Sequence, residues 1–142
     1  MRIIQIIDSL EAGGAERMAV SYANALTDKI SFSGLVATRK EGSLKEQLKD
    51  EVSYLFLNKK RSLDFKAVFR LRSYVVQHKV TVVHAHSTSF FLVFLLKLLC
   101  PSLRLLWHDH YGDSEFLSKR PIRVLQMTLP FFSGIIVVNQ KL

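Results

Sequence analysis

A chain of 142 residues, 49% of them hydrophobic, is sized for one globular domain with a real core, which excludes general disorder. Its lone cysteine, Cys100, excludes an internal disulfide and a cysteine-built zinc site, and suits a reducing compartment. The net charge of +8 is concentrated rather than spread: residues 59–79 carry seven basic groups against Asp64 alone, the signature of a charged surface more than of general solubility.

In chain order, residues 3–7 form a β-branched run broken by Gln5 and closed by Asp8. That reads as a first strand and not as a secretory leader. A helix over residues 15–26 sets Ala15, Met18, Ala19, Tyr22, Ala23 and Leu26 on one face. Strands are predicted at residues 35–38 and 54–57, with a helical turn at 44–48 between them. Ser62 is the predicted N-cap of a helix over residues 63–78, with Phe65, Val68, Phe69, Val75 and Val76 toward the core. A strand follows at 80–84. The most apolar stretch, residues 90–100, is capped by Ser87 or Ser89, interrupted by Lys97 and stopped by Pro101. It falls well short of the roughly 20 residues of a membrane span and reads as a buried helix. A strand at 103–107, a helix opened by Pro121 and running to Phe132, and a strand at 135–138 complete the chain. Strand–helix alternation of this kind predicts a Rossmann-like, doubly wound, mostly parallel α/β sheet of about six strands with helices on both faces.

Ligands of such sheets bind beyond the carboxyl ends of the strands, which singles out residues 8–16, 84–89 and 108–113. In the first loop, Gly13 and Gly14 precede a helix amino terminus whose free N–H groups suit a phosphate. The pattern is neither a dinucleotide fingerprint nor a P-loop, and a plain tight turn with Glu16 at the helix dipole fits as well. The pairs His84/His86 and His108/His110 sit at two neighbouring strand ends. Four imidazoles brought together, with Asp109, would suit a metal; without an H-E-x-x-H type of spacing, hydrogen bonding to a polar ligand or to loop backbone carries more weight. No Asp/Glu pair is placed as acid and nucleophile, so a two-carboxylate glycosidase is not supported. The basic stretch, with Lys59, Lys60, Arg61, Lys66 and Arg70, fits anionic lipid headgroups or a solvated face equally. No DNA- or RNA-binding motif accompanies it, so nucleic acid is not expected as a partner.

Four pieces in order make the chain resemble the amino-terminal domain of a family 4 glycosyltransferase of the GT-B fold. They are Gly13-Gly14-Ala15-Glu16, the segment from Asp64 into Val82-Val83-His84-Ala85-His86-Ser87, Trp107-His108-Asp109, and Ser133-Gly134-Ile135-Ile136-Val137-Val138-Asn139. The chain departs from the family at Asn139, where a serine is usual, and before Val82, where an aspartate often stands. The resemblance implies transfer of a sugar from a nucleotide-sugar donor to a glycan or lipid-linked acceptor, as in polysaccharide biosynthesis, with no metal and no cofactor besides that co-substrate. It implies that His108 is the catalytic histidine beside the donor sugar. Gly13 and Gly14 would lie against the donor diphosphate or the acceptor, braced by Glu16. His84 and His86 would line the acceptor side, and Asp109 would orient a histidine. Residues 1–142 would then be the acceptor-side domain, incomplete at its carboxyl end and inactive without a donor-binding carboxyl-terminal domain. The expected location is cytoplasmic, with Lys59, Lys60, Arg61, Lys66 and Arg70 facing the inner membrane surface. Two other readings stay open: the docking and acceptor subunit of a split glycosyltransferase, and a small metal-dependent hydrolase using the paired histidines.

Overall fold

The computed structural model describes residues 1–110 and 122–138. Its elements are β1 (Arg2–Ser9), α1 (Gly14–Leu26), β2 (Phe32–Lys40), β3 (Ser53–Phe56), α2 (Phe65–Gln77), β4 (Val82–His86), α3 (Phe90–Leu99), β5 (Arg104–Asp109), α4 (Ile122–Thr128) and β6 (Gly134–Val137). Single 3-10 turns at Ser43–Gln47 and Ser87–Ser89 precede β3 and α3. The strands form one parallel sheet in the order β3-β2-β1-β4-β5-β6. That order reverses between β1 and β4, and the crevice at such a reversal is where these folds bind ligands.

Strand parity divides the core. Ile4 and Ile6 of β1, Val83 and Ala85 of β4, and Leu105 and Trp107 of β5 face the layer that also holds Val68 and Leu71 of α2 and Leu92 and Leu96 of α3. Ile7 of β1, with Leu35 and Ala37 of β2, faces α1, where Ala19, Val20 and Ala23 close a second cluster. Between these lies an anomaly for a central strand: Gln5 is 1% exposed. It pairs in register with His84, and His86 pairs with His108. The period of two along each strand therefore carries Gln5, His84, His86 and His108 to one face of the sheet, the face α1 covers.

Three local expectations are corrected. The cap of α2 is Asp64, which accepts a hydrogen bond from Ala67 N at 3.0 Å, and not Ser62. Phe65 (63% exposed), Phe69 (55%) and Val76 (57%) point to solvent, because the core arc of α2 is filled by Ala67, Val68, Leu71, Tyr74 and Val75. At 100° per residue, Phe65, Phe69, Arg72 and Val76 fall on one stripe away from that arc. On α1, Val20 is buried and Tyr22 is not; Tyr22 lies instead toward the histidines. The apolar helix α3 behaves as expected, with Leu92, Val93 and Leu96 buried. Its one charge is accommodated at the end of the helix, where Lys97 Nζ donates to the carbonyls of Pro101 and Leu103 at 2.6 and 2.5 Å. Ser89 stands at the N-cap of α3 but makes no cap hydrogen bond. Pro121, Asn139 and residues 111–113 lie outside the described residues. Among the described residues no helix is long and apolar enough to cross a membrane.

Candidate functional site at the carboxyl edge of the sheet

The site begins with Gln5. A buried amide in a central strand must find partners, since leaving it unpaired costs its full desolvation. Gln5 Oε1 lies 2.9 Å from His86 Nε2. An amide oxygen only accepts, so His86 carries its proton on Nε2 and donates it. Its Nδ1 then presents a lone pair, which accepts from His110 Nε2 at 3.0 Å. The remaining rings stack around this bond. His84 and His108 lie nearly parallel, with centroids 5.6 Å apart, and His108 and His110 are 4.0 Å apart. Tyr22 closes the side toward α1, 5.5 Å from His84 and 6.3 Å from His108. One coordinating nitrogen each from His84, His86 and His108 lies within 4.8 Å of the others. Among the described residues, His84 Nε2 and His108 Nδ1 are buried without a hydrogen-bond partner.

Burial, reinforced by repulsion between the rings, pushes His84 down to about 4 and His86 to about 2. Burial also lowers His108 and His110, against the opposing charge of Asp109. The cluster is therefore neutral at pH 7. Asp109 is buried at the last position of β5.

A second network stands at the end of β1. The Asp8 carboxylate accepts from Thr38 Oγ1 at 2.6 Å, from Ser89 Oγ at 3.1 Å and from the Thr88 hydroxyl, with Arg39 Nε at 4.0 Å. It ties β1 and β2 to the turn that follows His86. Ser87 in that turn holds φ at 50°, in the left-handed region, and its carbonyl accepts from Trp107 Nε1 at 2.9 Å. That backbone conformation swings the chain from β4 into α3 directly after the histidine pair.

In the glycine loop, Gly13 is the extended N-cap of α1 with no side-chain cap bond, and Gly14 is the first helical residue, with open space where a Cβ would stand. A Cβ on Gly13 would overlap the Glu16 carboxylate, which lies folded over it. The loop is supported from behind by Gly42, where a Cβ would run into the Leu10–Glu11 peptide. Leu44 N donates to Leu10 O at 3.1 Å in the same place. Gly42→Ala is therefore expected to lower stability by about 1–3 kcal/mol through overpacking against backbone that cannot yield. Urea unfolding measures this, and an unchanged midpoint would contradict the close approach.

The basic stretch divides. Lys59 is only 7% exposed; its N–H donates to Thr38 O at 2.7 Å, and burial and Arg39 lower its pKa. It belongs to the interior beside the Asp8 network and cannot serve a surface patch. Arg70 donates to the carbonyls of Leu57 and Phe56 at 2.8 and 3.0 Å, holding the end of β3 to α2. Lys60, Arg61, Lys66 and Arg72 are exposed and surround the outward Phe65 and Phe69.

The structure thus brings His84, His86 and His108 into one cluster, with Asp109 at its edge. It sets Gly13, Gly14 and Glu16 at the start of the helix whose Tyr22 touches that cluster, and places Lys60, Arg61 and Lys66 at the β3 side of the sheet. Sequence reasoning missed Gln5 and Tyr22, and weighed the loop that begins at Asp8 without giving Asp8 a role. A polar residue inside an apolar strand was the available signal for Gln5; Tyr22 offered none, since an aromatic at helical spacing reads as core. The family model described as Glycosyltransferase Family 4 matches residues 12–142. No curated protein matches the chain.

Proposed function

The chain belongs to glycosyltransferase family 4, and from that premise we propose that it is the acceptor-side half of an enzyme moving a sugar from a nucleotide-sugar to a glycan or lipid-linked acceptor. The observation that carries this reading is the position of His108. It stands at the carboxyl end of β5, on the same face as His84 and His86 and one strand from the reversal of strand order. A neutral imidazole there can hydrogen-bond a donor-sugar hydroxyl. Glycosyl transfer passes through an oxocarbenium-like state, so contacts that hold the ring and strengthen as charge develops lower the barrier. In this reading His84 and His86 line the acceptor side and Asp109 orients the cluster. The Gly13–Gly14 loop, braced by Glu16, meets the donor diphosphate or the acceptor. The nucleotide-sugar is the only co-substrate, and a donor-binding domain completes the site.

Two assays test this. The 142-residue chain alone should show no turnover with nucleotide-sugars; robust transfer by it would overturn the half-enzyme reading. Supplied with the donor-binding domain, His108→Ala should lower kcat by about 10²–10³-fold, the scale of losing one transition-state hydrogen bond. An undiminished kcat removes His108 from the chemistry. The coding sequence after Leu142 separates a continuous enzyme from a split one, in which this chain is the docking and acceptor subunit.

The proposed acceptor chemistry agrees with a membrane-facing α2. Leu63, Phe65 and Phe69 are exposed among Lys60, Arg61, Lys66 and Arg72. Apolar rings ringed by cations complement an anionic lipid surface, the inner face of a cytoplasmic membrane, on which the domain would sit peripherally.

A further inference from the structure

We propose that His84, His86, His108 and His110 form a binding site for one divalent transition-metal ion, zinc by preference, at the carboxyl edge of β4 and β5. This goes beyond the transfer reading and does not depend on it. Three observations point to a ligand. The first is convergence: nitrogens of His84, His86 and His108 lie within 4.8 Å of one another, and His110 Nε2 is 3.0 Å from His86 Nδ1. Nitrogens bound to a common ion at about 2.1 Å sit about 3.4 Å apart in a tetrahedron, so binding would draw these nitrogens together by up to about 1.4 Å. The second is unpaired nitrogen: His84 Nε2 and His108 Nδ1 are buried with no partner among the described residues. A metal bond would recover the desolvation they have lost. The third is the outer shell. Gln5 Oε1 holds the Nε2 proton of His86 and so aims its Nδ1 lone pair into the cluster, the arrangement that orients metal-binding histidines; metal binding would break the His110–His86 hydrogen bond and leave the His110 proton on its Nδ1.

The donor set decides the kind of ion. Four imidazoles select zinc, copper, nickel or cobalt, whereas magnesium, calcium and manganese ask for several carboxylate or carbonyl oxygens. An ion here would occupy His108 and compete with a sugar hydroxyl for it; in the transfer reading the metal is an inhibitor and not a cofactor.

The purified chain, stripped with chelator, is titrated with Co²⁺. One equivalent should give the intense visible absorption of tetrahedral cobalt, and Zn²⁺ should bleach it. Zinc at a hundredfold excess over its Kd should raise Tm by roughly 5–10 °C. His84→Asn and His108→Asn should each weaken binding at least ~100-fold, and Gln5→Leu about 10–100-fold through the outer shell. His78→Asn, outside the cluster, should bind like the unaltered protein. Should the core variants fail to fold, zinc-edge X-ray absorption of the unaltered protein decides: three or more imidazole nitrogens at about 2.0–2.1 Å support the site, and an all-oxygen shell sinks it. Absence of saturable cobalt absorption, or binding that survives the His84→Asn/His108→Asn double variant, overturns the proposal. None of these readouts requires transferase activity, so failure of one idea is distinguishable from failure of the other.

Discussion

Acidifying the metal-free protein from pH 7 to pH 4.5 removes about 5 kcal/mol of its folding stability, from His84 and His86 alone. Both imidazoles titrate near 6.5 in the unfolded chain and far lower in the fold, at about 4 and about 2. Their folded-state pKa values are depressed, so the unfolded chain binds more protons throughout this interval. Stability is full above pH 6.5 and falls as each proton taken up by the unfolded state goes unmatched. The loss from His84 levels off near pH 4; that from His86 continues toward pH 2. At two protons, the slope approaches 2.7 kcal/mol per pH unit, where about 1.36 applies to each. Domains are held by only about 5–15 kcal/mol, so unfolding in mild acid is the expected consequence. The Asp109 charge opposes the lowering of His108 and His110. Urea unfolding in chelator, from pH 7 to 4.5, measures the slope. His84→Asn should roughly halve the loss; an unaltered slope in that variant would show that the buried rings are not its source.

Binding to anionic vesicles should fall by at least about a hundredfold when Lys60, Arg61 and Lys66 are all changed to glutamate, given about 1 kcal/mol for each basic side chain near the surface. These three are exposed and flank the outward Phe65 and Phe69. Lys59 and Arg70 stand in the same stretch but make a poor test. Lys59 is buried, and the Arg70 guanidinium is committed to the carbonyls of Leu57 and Phe56. Reversing Lys59 would put a carboxylate in the interior beside Asp8, and reversing Arg70 would release the β3–α2 junction, so either would confuse loss of binding with loss of fold. Arg70→Gln is accordingly expected to lower stability while leaving vesicle affinity within a few-fold. Attraction between exposed charges is screened, so binding should weaken steeply with salt, while the contribution of Phe65 and Phe69 should not. Co-sedimentation with vesicles of zwitterionic lipid, with and without anionic lipid, reads the outcome. Equal binding by the triple-glutamate variant, or equal binding to uncharged vesicles, would remove Lys60, Arg61 and Lys66 as its cause.

The contrast within that one stretch shows where sequence reading stops. Charge counting located the basic block correctly, because composition is local. It could not separate Lys59 from Lys60: that distinction depends on β2, whose Thr38 carbonyl draws the Lys59 backbone inward. The same holds for α2. Its helical period was legible, but a period alone does not say which arc meets the sheet; the structure turns Ala67, Val68, Leu71, Tyr74 and Val75 inward and leaves Phe65 and Phe69 outside.

Alternating β-branched runs and amphipathic segments by themselves determined an α/β chain with a parallel sheet. A parallel pair needs a long crossover, and helices supply it. The ordered motifs determined the family as well, and strand ends marked which loops to weigh. Tertiary structure alone decided that four histidines meet. His84 and His86 are separated from His108 and His110 by a whole helix, and only the register of β4 on β5, with the strand period of two, turns both pairs to one face. It also decided what holds them there, a buried Gln5 from β1 that fixes the His86 proton. Periodicity is a property of neighbours in sequence; register, burial and desolvation arise between strands, and the chemistry of this edge depends on them.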